Sequence, residues 1–346
     1  MESEDDSDAE CDLDCDIDSQ IPYRVFVVCS VGLLLVLGYY NIPNVLAMVR
    51  ATYHRTPFSD GQVYPRLYQG SHDVTPSNEF SNERCRVQFV FTGSKSNYKS
   101  FPTLQSWMRF ADPTCPIEFL RSNHPFLGQI TVAEARVIGA LAFQPILQAD
   151  MLKLLAIYYL GGLVVDLDVQ AIKPFPQAWA DVESPLAFCD VVLGIEADCY
   201  DDICVKNFVR KGQIQNWAMF ARQPRSPFLG ELLEFIVEKY DSMAPLDENV
   251  SIQEVAGSGP ITDFVQIYGN FSHPFYNAPT SQWGWTLASD PSSVLRIQKH
   301  HEEVCVVGSR YTGGGCLIFD ECLISHHFEG SWQHWPRSFN RSKVIH

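Results

Sequence analysis

The chain has 346 residues, with 41 Asp or Glu against 25 Lys or Arg, and its formal net charge is −16. Hydrophobic residues at 46% and aromatic residues at 12% exclude a disordered chain. No Lys/Arg cluster stands out, which argues against a nucleic-acid-binding protein. Residues 1–23 hold ten acids and no base, so the other 31 acids and 25 bases leave a net charge of only −6 on the rest of the chain.

The N-terminal region predicts a membrane anchor. Residues 1–24 form an acidic tail that should stay solvated, because like charges repel one another. Residues 25–49 then contain no charged side chain, and about 20 apolar residues suffice for a helix that crosses a bilayer. A cleaved signal peptide normally has a short basic leader, which this chain lacks. We therefore predict one uncleaved transmembrane helix, a stem over residues 50–62 and a folded domain over residues 63–346.

The predicted domain has features that suit an oxidising compartment. Its Asn-x-Ser acceptor sites are Asn249, Asn270 and Asn340. Eight cysteines lie between Cys85 and Cys322, an even number that permits disulfides without fixing their pairing. Cys199 and Cys204 flank one acidic loop and suggest a local pair. The basic residues beside the predicted span lean weakly toward an outside N-terminus, so the orientation stays open at this point.

Strands and helices alternate along the predicted domain. In chain order we expect a strand over residues 86–92, a helix over 101–110, a strand over 117–120, helices over 131–142 and 148–160, and a strand over 163–165. The alternation of strands and helices continues through residues 191–196, 216–221 and 228–240. Thr131 and Glu134 form a capping-box pattern at the start of the helix over residues 131–142. Gly161-Gly162 ends the buried helix over residues 148–160. The alternation predicts an α/β fold with a mainly parallel sheet.

Two carboxylates, Asp166 and Asp168, directly follow the strand over residues 163–165. Ligands of open α/β sheets bind beyond the carboxyl ends of the strands, and side chains two residues apart on a strand point the same way. Adjacent carboxylates repel unless a cation lies between them, and oxygen ligands suit Mg²⁺ or Mn²⁺, which often bind substrate phosphates as well. A bare Asp-x-Asp is common in solvated loops, but the preceding helix, Gly-Gly turn and apolar strand favour a metal site that binds a phosphorylated substrate.

The segment QADMLKLLAIYYLGGLVVDLDV, residues 148–169, resembles the sugar-transfer region of glycosyltransferase family thirty-two, which carries an Asp-x-Asp motif. Similar motifs in the family's order are VYPRLYQ (63–69), Ser106-Trp107, QNWAMFARQPRSPFL (215–229), GSGPIT (257–262) and HHFEGSW (326–332). The family includes fungal initiating α-1,6-mannosyltransferases and inositol-phosphoceramide mannosyltransferases. The sequence departs from the family pattern at Tyr68, Lys153 and Ser226, where His, Arg and His are usual.

The resemblance implies a GT-A-type nucleotide-sugar-binding fold, with a mainly parallel mixed sheet flanked by helices and preceded by one transmembrane helix. It implies a metal-dependent retaining glycosyltransferase in the Golgi membrane, single-pass type II, with a lumenal catalytic domain; this orientation overrides the weak charge count. GDP-mannose is the first expected donor, UDP-galactose and UDP-N-acetylglucosamine are alternatives, and the acceptor is a glycan or glycolipid. Mn²⁺ or Mg²⁺ is the expected cofactor.

Chemistry and resemblance together give each candidate residue an expected role. Asp166 and Asp168 are the expected catalytic residues, because a metal on them would stabilise a leaving diphosphate. Either His326 or His327 could reach the metal or the diphosphate, and His327 is the expected further ligand. The expected donor-binding residues are Asp150, Lys153, Asn216, His326, His327 and Trp332. Gly259 and Pro260 are expected to shape a loop on the acceptor side. Structural roles for Lys153, the two histidines and Trp332 stay open as alternatives.

Two other classes of protein stay open. The departures at Tyr68, Lys153 and Ser226 are compatible with a membrane-anchored carbohydrate-binding or scaffold protein on a decayed transferase fold. A glycoside hydrolase is less favoured. Its two acids should flank the scissile bond about 5–9.5 Å apart, whereas Asp-x-Asp is too close and too symmetric for split acid and base roles.

Overall fold

The computed structural model describes residues 67–68, 85–92, 103–181, 183–203, 205, 208–243 and 251–328. The predicted acidic tail, transmembrane helix and stem lie outside these residues, and so do Trp332 and the acceptor sites Asn249 and Asn340. Within the described ranges, no helix is both long enough and apolar enough to cross a membrane.

Ten strands are assigned in the described residues, and most are short. They are β1 Leu67–Tyr68, β2 Val87–Val90, β3 Ile117–Leu120, β4 Gly162–Val165, β5 Val169–Ala171, β6 Val191–Gly194, β7 Ala218–Ala221, β8 Val294–Lys299, β9 Glu302–Val307 and β10 Ile324–His326. The α-helices in the same residues are α1 Thr103–Phe110, α2 Val132–Ala140, α3 Pro145–Leu160, α4 Gln177–Ala180, α5 Pro227–Ser242, α6 Ser258–Tyr268 and α7 Ser309–Thr312.

Eight strands form one mixed sheet in the order β1-β3-β2-β4-β7-β6-β9-β8. Strands β7 and β8 run antiparallel to the other six. A separate two-stranded antiparallel sheet pairs β10 with β5. The carboxyl ends of β2, β4, β6 and β9 therefore meet at one edge, where β7 and β8 begin. This arrangement confirms the predicted α/β class with a mainly parallel sheet flanked by helices.

The large sheet lies between two apolar layers, and successive residues of β4 show how it divides them. Val164 packs into the cluster built from α3, α5 and α6. Leu163 and Val165 pack into the opposite cluster, which contains Trp107 of α1 and Ile324 of β10. The period of two along a strand sends neighbouring side chains to opposite faces. Strand β4 is buried on both faces and reads as a continuous apolar run for this reason.

The local signals around α2 and α3 take the expected form. Thr131 accepts a hydrogen bond from the Glu134 amide at 3.2 Å, and Glu134 accepts one from the Thr131 amide at 2.7 Å, so the capping box is confirmed. Helix α3 ends at Gly161 (φ +65°), and Gly162 (φ +81°) follows. A Cβ on Gly162 would lie 2.3 Å from Cγ of Arg86, so this turn requires glycine on two counts.

The described residues contain disulfides, as the cysteine count permitted, at sequence separations from 6 to 116 residues. The bonds are Cys85–Cys115, Cys189–Cys305 and Cys316–Cys322. Cys199 is also disulfide-bonded, whereas Cys204 lies outside the described residues. The bond between Cys189 and Cys305 joins the start of β6 to β9 across 116 residues of sequence. Disulfides persist in oxidising compartments, so these bonds suit a secretory protein.

Candidate functional site

Asp166 and Asp168 lie in a turn between β4 and β5. The strand ends at Val165, and the Val169 amide donates to the Asp166 carbonyl at 3.1 Å. The expected strand pleat therefore does not orient the two carboxylates; the turn does. The Asp166 amide donates to the carbonyl of Trp217 at 2.8 Å, which fixes the turn to the residue before β7.

Helix α1 holds the other side of this turn. Thr103 donates its hydroxyl to the Leu167 carbonyl, between the two aspartates. The Trp107 indole donates to the Val169 carbonyl at 2.8 Å, and the Ser106 hydroxyl accepts from the Ala171 amide at 2.8 Å. The Ser-Trp pair recognised in the sequence therefore fixes the backbone that follows the two carboxylates.

Lys153 is buried beneath the turn, with 1% of the residue exposed. Its ammonium lies 3.0 Å from Asp150 on the same helix and 2.9 Å from Asp166. Burial alone would lower the pKa of Lys153, but the two carboxylates together raise it above its usual range. Lys153 is thus an ionic link between α3 and the turn.

Burial opposes the ionisation of the two aspartates that contact this ammonium. Burial raises the pKa of Asp150 to about 6, although Lys153 and a hydrogen bond from Asn216 oppose the shift. Burial also raises the pKa of Asp166, again opposed by Lys153. Asn216 therefore contacts Asp150, so two predicted donor-binding residues are brought together. With all three aspartates ionised, Asp150, Asp166 and Asp168 face one ammonium, a net charge of −2.

His326 approaches from β10. Its Nε2 lies 3.1 Å from Oδ1 of Asp168, and its ring stacks on Trp217 with centroids 4.7 Å apart and planes 7° apart. One ligand atom from each of Asp166, Asp168 and His326 falls within 4.8 Å of the others. Two carboxylates and one imidazole form a donor set that is compatible with Mn²⁺ and with other divalent cations that accept nitrogen and oxygen ligands. The net charge of −2 matches a divalent cation.

His327, the predicted metal ligand, lies elsewhere. Its Nε2 is 2.8 Å from Oε1 of Gln170 in β5, and its side chain is exposed. Its amide donates to the Asp168 carbonyl at 3.0 Å, so its contact with the motif is through the backbone. The described geometry thus brings the His326 ring, rather than the His327 ring, next to the two carboxylates. The reason is that successive side chains of an extended segment point in opposite directions.

Gly259 and Pro260 do not form a loop. Both are buried in the first turn of α6, where proline is tolerated because the amides there have no partner within the helix. Thr262 donates to the Ser258 carbonyl at 2.6 Å and accepts from the Ile214 amide at 2.9 Å. The GSGPIT segment thus fixes the chain that leads into Asn216, and the expected acceptor-side loop is corrected to a buried helix start.

The other two departures from the family pattern lie at the start of a helix and in a strand. Ser226 caps α5 by accepting from the Leu229 amide at 3.2 Å. Tyr68 lies in β1, which pairs with β3. Sequence reasoning missed Trp217 and Glu196, although Trp217 adjoins the predicted Asn216. Glu196, just beyond β6, accepts from Gln213 at 2.7 Å. Burial raises the pKa of Glu196, while Gln213 and the charge of His326 oppose the shift.

This arrangement belongs to the class of α/β proteins with a cation-compatible acidic site at the carboxyl edge of a mixed sheet. The chain is 26% identical to the initiation-specific alpha-1,6-mannosyltransferase of Schizosaccharomyces pombe over 210 residues, 60% of this chain and 52% of that protein. It is 28% identical to the putative glycosyltransferase HOC1 of Saccharomyces cerevisiae over 132 residues, 36% of this chain and 33% of that protein. No family model matches.

The resemblance to glycosyltransferases is therefore confirmed at modest identity, and the chain spans at most about half the length of these curated relatives. Among solved structures, PaToxG glycosyltransferase aligns with a TM-score of 0.36 and 14% identity, covering 53% of this chain and 68% of that chain. Mouse xyloside xylosyltransferase 1 in its apo form aligns with a TM-score of 0.30 and 11% identity, covering 57% and 88%.

Proposed function

We propose that this chain is a metal-dependent retaining glycosyltransferase on a GT-A-type fold, which transfers mannose from GDP-mannose to a glycan or glycolipid acceptor. The carrying observation is the cluster of Asp166, Asp168 and His326 at the carboxyl edge of the sheet. It lies within a chain that is similar to a fungal mannosyltransferase. UDP-galactose and UDP-N-acetylglucosamine remain the alternative donors.

The residues of the site divide the work between charge and position. Mn²⁺ or Mg²⁺ bound by the cluster would supply positive charge next to the departing diphosphate. Lys153 keeps the Asp166 carboxylate in place from below, and the Trp217 stack orients His326 edge-on toward Asp168. Asn216 and Asp150 lie on the inner side of the network, where they are candidates to hold the donor.

We further propose a Golgi-membrane protein of single-pass type II topology. The uncharged run over residues 25–49 supports the anchor. The disulfides Cys85–Cys115 and Cys189–Cys305 support a lumenal domain, because the cytosol keeps thiols reduced.

The decisive experiment is nucleotide-sugar hydrolysis by the full chain with Mn²⁺, over GDP-mannose, UDP-galactose and UDP-N-acetylglucosamine. Asp168→Asn keeps the shape of the side chain but removes its charge, and we expect turnover to fall by about 100-fold or more. Asp241→Asn is the matched control, since Asp241 is an exposed partner of Arg136 on α2. Asp168→Asn turnover equal to that of the wild type would refute the proposed mechanism.

A second candidate, a carbohydrate-binding protein on a decayed transferase fold, is favoured by one observation. Lys153 already neutralises part of the charge of Asp166, which weakens the attraction for a metal ion. A thermal-shift titration with Mn²⁺ and GDP distinguishes the two functions. We expect the transferase to gain stability with Mn²⁺ and to gain more with Mn²⁺ and GDP together, whereas no metal-dependent shift would favour the binding protein.

A further inference from the structure

The loop over residues 280–286 presents two tryptophans to solvent. Trp283 is 78% exposed and Trp285 is 51% exposed. Tryptophan is highly buried on average, and two exposed indoles separated by one glycine concentrate apolar surface at one point. The proposed role of the acidic site does not account for them.

Hydrogen bonds hold this loop in one conformation. The amide and hydroxyl of Thr280 both donate to the Trp285 carbonyl, at 2.6 and 2.8 Å. Gly284 has φ +75°, and its amide donates to the Ser281 carbonyl at 3.0 Å. The fully buried Leu287 anchors the chain just after the loop. Because the loop is ordered before anything binds, the two indoles would lose little entropy on contact with a ligand.

The loop precedes, by seven residues, a strand that begins at the same edge of the sheet as the acidic site. It leads into β8, which runs antiparallel to β9 and therefore begins where β4, β6 and β9 end. Four inter-strand steps separate β4 from β8 in the strand order, which is about 19 Å. The strand that follows the loop and the strand that precedes the acidic site are thus separated by a distance that a short oligosaccharide can span.

The chemistry of the loop selects an uncharged ligand. Residues 274–289 contain no Asp, Glu, Lys or Arg, and Asn, Gln, Ser and Thr surround the tryptophans. Attachment to an anionic membrane surface requires basic residues, which this segment lacks. Neutral hexoses present apolar C–H faces that stack on indole rings, and their hydroxyls hydrogen-bond to amide and hydroxyl side chains.

We propose that Trp283 and Trp285 form a stacking platform for the distal sugars of a neutral oligosaccharide acceptor. This inference rests on the proposed transferase function and adds to it the chemical class of the acceptor. Donor binding at the acidic site does not involve the platform. The two tryptophans consequently favour longer acceptors over a single sugar.

The test is a saturation-transfer NMR titration of the full chain with mannohexaose and with mannose, alongside donor hydrolysis by the same samples. The variants are Trp283→Ala/Trp285→Ala and, as the control, Phe188→Ala. Phe188 is 77% exposed and precedes β6, at the opposite edge of the sheet. We expect the double variant to bind mannohexaose about tenfold more weakly, with Phe188→Ala and donor hydrolysis unchanged.

Unchanged mannohexaose binding in the double variant would overturn the proposal. If the double variant instead loses binding to phosphatidylcholine–phosphatidylserine vesicles, the proposal is overturned in favour of a membrane contact. If the double variant loses a dimer that the wild type forms in sedimentation, the proposal is overturned in favour of self-association. Donor hydrolysis reports separately on the transferase function. If the wild type binds mannohexaose through the tryptophans but hydrolyses no donor, the proposed function fails, and the tryptophans are an oligosaccharide-binding site without an acceptor role.

Discussion

Replacement of Lys153 by Met should destabilise the domain by removing the only ammonium that the described residues bring within ion-pair distance of Asp150 and Asp166. Methionine fills a similar volume, so the change isolates the charge. Breaking a buried ion pair by removing one partner costs about 3–5 kcal/mol, because the other partner is left buried and unpaired. In a domain of this size such a loss lowers Tm by roughly 8 °C.

The pH dependence of the Tm deficit of Lys153→Met shows whether the charge of Asp150 causes the destabilisation. The pKa of Asp150 is raised to about 6 in the folded chain, above the ~3.9 of an unfolded aspartate. The folded state therefore binds more protons between these values, and the contribution of Asp150 becomes more unfavourable as pH rises through about 4 to 6. Without Lys153 the pKa of Asp150 should rise further. The Tm deficit of Lys153→Met should thus be largest near pH 8 and shrink toward pH 5.

The assay is thermal unfolding by circular dichroism in EDTA, from pH 5 to pH 8. Lys153→Arg, which has the residue usual in the family, should keep the pair and most of the stability. Arg136→Met removes one partner of the exposed Arg136–Asp241 pair and should leave Tm within error. A Lys153→Met deficit no larger than that of Arg136→Met, or one independent of pH, would refute the reasoning.

Two further predictions concern the turn and the histidines. Gly162→Ala should lower Tm by several degrees in the same assay, because φ is +81° and the new Cβ would meet Arg86, whereas Gly128→Ala, with nothing within 4 Å of a Cβ, should not. His326→Ala should weaken Mn²⁺ binding at least about tenfold in calorimetry, and His327→Ala should change it less; the reverse order would restore the ligand assignment expected from sequence.

The sequence predicted those features that depend on interactions between residues close together in the chain. The capping box at Thr131 and the glycine stop after α3 each depend on residues within one turn of a helix. The position of His326 depends instead on the pairing of β10 with β5, which places His326 opposite Val169, a residue far from it in the sequence. A shift of one residue in that register would exchange the two histidines, and no local signal specifies the register.

The GSGPIT segment was misjudged for a related reason. Glycine and proline close together favour a turn, and the sequence offers nothing stronger in that segment. The structure overrides this preference because Thr262 bonds both within the first turn of α6 and to the Ile214 amide. Gly259 has a packing role as well, since a Cβ there would lie 2.9 Å from the carbonyl oxygen of Gln253. Tertiary contacts of this kind are invisible to propensity.

The surplus of negative charge at the acidic site is local and is not shared by the other carboxylate cluster of the described domain. Elsewhere in the described domain, Glu254 and Asp263 lie within 2.7–3.7 Å of Arg210 and Lys239, so two carboxylates are matched by two cations. At the acidic site Asp150 and Asp166 share the Lys153 ammonium, and Asp168 lies 3.1 Å from Nε2 of His326; with a neutral His326, three carboxylates face one cation. The Arg210 cluster needs no further cation, whereas the site has a deficit of two charges. This local surplus of negative charge beside His326 supports the divalent-cation site that we propose.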